Sequence, residues 1–175
     1  MLGKRRRSEL ELFQKNAAGE YVYTGSHYRY AGSGGRKRQF IKLWLLGGCG
    51  AAALLAAGFL PAPGSTGCFY VLIPYVAALV AVISALWALG RLTLGGDPIR
   101  EPIYDSASVH LPRRWAASGI LEILAMAGEV LFLILHGAGD RPGVPPAYLA
   151  LLGIAAGCGT LCGSQVRRMT WDKIS

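Results

Sequence analysis

The sequence predicts an all-α integral membrane protein: a bundle of four transmembrane helices with a short cytoplasmic N-terminal segment. Three observations carry that expectation. Hydrophobic residues make up 53% of the 175 positions and charged residues 16%, too apolar a balance for an ordinary soluble domain of this length. The apolar residues gather into four stretches, 41–60, 68–90, 115–136 and 147–166, each supplying the ~20 residues that an α-helix needs to cross about 30 Å of hydrocarbon. The third observation is charge placement. Seventeen of the eighteen Lys and Arg lie in segment 1–40, at the start of the first span, in the middle loop 91–114 or in the tail 167–175, and only Arg141 lies elsewhere. Basic residues flanking spans are retained on the cytoplasmic side. Both termini and the middle loop are therefore expected in the cytoplasm of a multi-pass cell-membrane protein, with loops 61–67 and 137–146 outside.

Segment 1–40 opens with a basic run, Lys4 to Arg7, but polar sequence separates it from the first span, which is not the spacing of a secretory signal peptide. Within it, "EYVYTGSHYRY" places Tyr21, Tyr23, Tyr28 and Tyr30 in two alternating pairs around a Thr-Gly-Ser-His centre. Period two with aromatic residues reads as strand, and the centre as a turn, so a β-hairpin is expected there. A lone hairpin is marginal in water. It needs a surface to dock on, and otherwise the segment stays a basic tail. "AGSGGRKR", with Arg36, Lys37 and Arg38, reads as a tether suited to anionic lipid headgroups or to a cytoplasmic partner.

Span 41–60 ends at "PAPG", and span 147–166 opens after Pro145 and Pro146, where a missing N–H costs nothing. Pro74 removes a backbone hydrogen bond early in span 68–90, and a passive kink or a hinge would follow. The outer loops look too short to fold. In loop 91–114, Asp97, Glu101 and Asp105 recur at steps of four, but Pro98 and Pro102 are expected to interrupt a helix before Tyr104 and leave a solvated loop.

Small residues crowd the first and last spans. Gly153 and Gly157, and Gly159 and Gly163, form two G-x-x-x-G pairs, and Gly47 to Gly58 offers a similarly smooth surface. Lipid supplies no hydrophobic push between helices, so close backbone approach through small residues is a main source of adhesion. These two spans are expected to pack together, with either an internal seam or a homo-oligomer seam along the glycines.

Span 115–136 carries Glu122, Glu129 and His136 at intervals of seven. Seven residues turn a helix through about 700°, nearly two revolutions, so the three share a stripe that crosses the bilayer. Charge at that depth is costly, and the acids should face other helices or water. Either they hydrogen-bond to neighbouring helices, with Ser84 and Thr160 as candidate partners, or the stripe lines a path for protons or cations.

The other chemistries lack their motifs. The basic clusters are explained by topology, and no nucleic-acid fold has room beside four spans. Cys158 and Cys162 share a helix face but have no His on their side of the membrane, so neither a metal site nor a cofactor is expected. "LGGC" at Leu46 to Cys49 loosely resembles a lipoprotein box but runs on into apolar sequence. The G-x-S-x-G, P-loop, H-E-x-x-H and C-x-x-C patterns of common enzymes are missing. The leading expectation is a non-enzymatic accessory or scaffold subunit that binds membrane lipids and other membrane proteins or copies of itself, with its ligand unknown. The alternative is a small proton- or cation-coupled transporter or channel using Glu122, Glu129 and His136.

Overall fold

The computed structural model describes residues 13–15, 21–32, 35–108, 110–138 and 141–174. In chain order its elements are β1 (Phe13–Lys15), β2 (Tyr21–Tyr23), β3 (His27–Tyr30), α1 (Arg36–Gly58), α2 (Pro63–Gly67), α3 (Phe69–Leu94), β4 (Ile99–Arg100), α4 (Glu101–Ser108), α5 (His110–His136), α6 (Val144–Arg167) and β5 (Trp171–Ile174). Four of the helices, α1, α3, α5 and α6, are long and apolar enough to cross a membrane.

Prolines set several boundaries. Pro63 opens α2 and Pro145 lies in the first turn of α6, positions whose N–H groups have no intrahelical partner. Loop 61–67 is not too short to fold. Pro63 starts a helical turn that Cys68 closes by donating to Gly64 O at 3.0 Å, and Ala62 and Gly64 are buried beneath the bundle.

The long helices pack in the order α3, α5, α6, α1, with only light contact closing the ring between α1 and α3. Pro74 sits inside α3 and has no N–H to offer Tyr70 O, the carbonyl four residues earlier. That carbonyl faces α5 at Gly128, where a Cβ would stand 2.9 Å from it. A glycine is thus what lets α5 approach that carbonyl, an arrangement that also suits a Cα–H···O contact. α1 and α6 approach closely at Gly50, where a Cβ would stand 3.1 Å from Cys158 Cβ and 3.5 Å from Ala155 O. The outward surface is apolar, with Leu45, Phe59, Ile83, Trp87 and Ile134 exposed.

Strand β3 ahead of the first long helix, β4 of the middle connection and the C-terminal strand β5 meet at one end of this bundle, the basic end. β3 is the centre of a three-stranded antiparallel sheet, flanked by β4 and β5. Tyr28 pairs with Ile99 on one side and Lys173 on the other, and Tyr30 pairs with Trp171. The expected hairpin across Thr24 to His27 is therefore corrected. Tyr21 and Tyr23 are in β2, which pairs with β1 through Phe13↔Tyr23 and Lys15↔Tyr21, while β3 turns away to partners distant in sequence. Pairing on both edges satisfies the backbone groups that a lone hairpin would leave exposed.

The solvated loop expected over 91–114 is corrected too. α3 continues to Leu94, β4 buries Ile99 completely, and α4 begins at Glu101. Pro102 does not break α4 because it lies in the first turn.

Candidate functional site

The buried polar groups lie on one face of α5. Glu122 is 1% exposed and Glu129 is fully buried, as their seven-residue spacing on a helix held between α3 and α6 requires. His136 is separated from them. His136, in the last turn of α5, is exposed and stacks on Phe132, with ring centroids 4.6 Å apart.

The two carboxyls have different surroundings. Glu129 Oε1 accepts from the backbone N–H of Gly64 in α2 at 3.3 Å, and Tyr148 of α6 lies near enough to interact with it electrostatically. Glu122 has no hydrogen-bond partner among the described residues and lies near Cys158. Of the hydroxyls expected to serve these acids, Thr160 Oγ1 donates instead to Gly157 O in its own helix at 2.9 Å, and among the described residues no hydrogen bond joins the Ser84 hydroxyl to either acid.

Among the described residues, four buried side-chain atoms have no partner: Trp115 Nε1, Glu122 Oε2, Glu129 Oε2 and Tyr148 Oη. Three belong to α5 at successive steps of seven, and the fourth faces Glu129 from α6. Buried polar atoms of this kind are uncommon, and each invites a water, an ion or a proton. Seven residues of helix separate successive α5 groups by about 10 Å, too far for direct transfer. Among the described residues, no group of three or more His, Cys, Asp or Glu could hold a metal ion.

Trp115 and Tyr148 did not stand out in the sequence. Trp115 reads there as an interfacial aromatic at the head of a span, but the fold buries it to 1% exposure. Its indole occupies a slot floored by glycines: a Cβ would stand 3.2 Å from the ring at Gly47, 3.4 Å at Gly159 and 3.3 Å from Trp115 Cβ at Gly163. Gly159 and Gly163 thus serve α5, not the α1–α6 seam. The other pair differs. Among the described residues, nothing lies within 4 Å of a Cβ built at Gly153 or Gly157.

The basic end gathers the remaining candidates. Tyr28 stacks on Tyr104 of α4 at 3.9 Å, and Trp171 meets Tyr30 and Tyr104 edge-on at 5.6 and 6.0 Å. Burial in this cluster, with the Glu101 charge nearby, raises the Tyr28 phenol above its ordinary pKa. Arg36 donates to Leu92 O at 3.4 Å and lies 4.0 Å from Asp97, whereas Lys37 and Arg38 are exposed. The run Lys4 to Arg7 lies outside the described residues.

The helices and this internal polar file define a mostly helical chain with four apolar helices of membrane-spanning length. No protein-family model matches it, and neither does any curated protein or solved structure.

Proposed function

We propose that this is a multi-pass protein of the cell membrane, with both termini and the middle connection in the cytoplasm, that works as a non-enzymatic accessory or scaffold subunit. The membrane reading is supported by the four helices and by the apolar side chains they turn outward. The orientation is supported by the concentration of basic residues at the end where β3, β4 and β5 assemble. One observation carries the scaffold role. Gly153 and Gly157 leave a smooth, unoccupied strip on α6 while the neighbouring glycines are filled, and such strips let a second helix approach closely in lipid. The partner is another membrane protein or a second copy of the chain.

Gentle cross-linking in membranes followed by purification tests this reading. Co-purifying subunits or a detergent-stable oligomer, lost in Gly157→Leu while insertion is retained, are the expected result. A monomer without stable partners would overturn it.

A second reading is favoured by the four unpartnered atoms. Waters joining Trp115, Glu122, Glu129 and Tyr148 would make a proton or cation path through the bundle. On this reading Glu129→Gln, which keeps the shape and the acceptor for Gly64 N–H but cannot ionise, abolishes flux in liposomes without unfolding the protein. Absence of flux in the wild type under proton and cation gradients would eliminate the path.

A further inference from the structure

The light contact between α1 and α3 leaves a crevice at the basic end of the bundle. α3 is drawn to α5 and α1 to α6, so the ring of helices is least closed there. The deeper part of the crevice is a groove of about 380 Å³ bordered by Trp44, Ile83, Leu86, Trp87, Gly90 and Leu94, with Arg91 beside them. Toward the helix ends it meets a larger hollow of about 860 Å³, whose lining includes Arg36, Lys37, Arg38, Thr93 and Asp97. Trp44 borders both, and its indole N–H is held by Thr93 Oγ1 at 3.1 Å.

The two parts differ in chemistry. The groove is apolar and opens sideways through exposed Ile83 and Trp87. The hollow has three basic side chains against a single acid, and Asp97 is already shared with Arg36. Among the described residues Lys37, Arg38 and Arg91 have no ion pair. Gly90 faces Trp44, with a Cβ there 4.0 Å from the ring and nothing else nearer, so the groove floor is held open by a missing side chain.

From this charge and shape complementarity we infer that the α1–α3 crevice binds one anionic phospholipid, its phosphate among Lys37, Arg38 and Arg91 and an acyl chain along the groove past Trp44 and Gly90. The inference rests on the membrane reading above. A free phosphate would use the basic groups and leave the groove empty, and a zwitterionic lipid would fill the groove without satisfying the surplus positive charge.

Native mass spectrometry on the full chain in detergent, with added phosphatidylglycerol, phosphatidylcholine or glycerol phosphate, tests the site. One phosphatidylglycerol should be retained in preference to phosphatidylcholine. Lys37→Gln, Arg38→Gln and Arg91→Gln should each weaken that binding about five-fold, the scale of one basic group beside an anionic surface. Gly90→Leu fills the groove and should weaken both lipids while the melting curve stays unchanged. Equal retention of the two lipids, indifference to all four substitutions, or binding of glycerol phosphate as tight as that of phosphatidylglycerol would each overturn the site. Carbonate extraction separates the two levels of inference. A chain released from membranes by carbonate sinks the membrane reading itself, whereas a resistant chain without the lipid preference sinks only the crevice.

Discussion

Two glycine pairs with the same spacing lie on α6, only two residues apart, and meet opposite surroundings. Gly159 and Gly163 are covered by Trp115, and Gly153 and Gly157 are covered by nothing among the described residues. Spacing therefore tells where a helix is smooth but not what the smooth surface is for. The first pair admits an indole from α5, and the second is free to admit another helix. The contrast extends to Gly128 and Gly50, which allow backbone to come near backbone or a thiol-bearing Cβ. Small residues in this bundle thus do three separate jobs.

The largest effect should come from the filled pair. In Gly163→Leu the new side chain starts 3.3 Å from Trp115 Cβ and 3.6 Å from Pro112 O, so α5 and α6 must separate. Overpacking of this kind costs about 3 kcal/mol or more. Unfolding by SDS in mixed micelles should detect it, and wild-type stability would erase the distinction between the pairs.

Gly128→Ala should come next. Its methyl would meet Tyr70 O at 2.9 Å, backbone that no rotamer change can move, at a cost of about 1–3 kcal/mol. The same titration reads it, and a neutral result would mean that α3 and α5 do not pack through that carbonyl.

Glu129 gives a graded comparison. Glu129→Leu strands the Gly64 N–H, which donates to it at 3.3 Å, and should cost about 1–3 kcal/mol, whereas Glu129→Gln retains an acceptor and should cost less than about 1 kcal/mol. Thermal melting of the purified variants distinguishes them. Equal losses for the two substitutions would show that the hydrogen bond to α2 contributes nothing.

The smallest effect on the fold belongs to the open pair. Gly157→Leu should change stability by no more than about 0.5 kcal/mol, as surface substitutions do, and register only in assembly, read by cross-linking. A large loss of stability would mean that the strip is not open after all.

How much of this was legible depends on the range of the interaction that decides each feature. Residues 41–60, 68–90, 115–136 and 147–166 are visible as apolar stretches because chain length and composition alone set what can cross hydrocarbon. The helices do extend beyond them, since α5 begins at His110 and α1 at Arg36. There the polar first turns lie at the basic end, which composition does not mark as helical. Glu122 and Glu129 are visible as one stripe because helical period is local. His136 has the same period but is exposed, and only packing reveals that. Tyr28 and Tyr30 have a strand signal, but their partners in β4 and β5 lie some seventy and more than one hundred and forty positions away, beyond any local pattern.

By itself, the sequence determined the four apolar helices, their prolines, the basic end and the shared face of Glu122 and Glu129, because these depend on hydropathy, charge and the 3.6-residue turn along one chain. Only the tertiary structure decided that Trp115 fills the Gly159 and Gly163 slot, that Gly64 serves Glu129, and that β3 and β5 join the middle connection in one sheet. Each of these needs groups distant in sequence to meet, and which of several similar smooth surfaces meets which bulky side chain is settled by the mutual packing of all the helices at once.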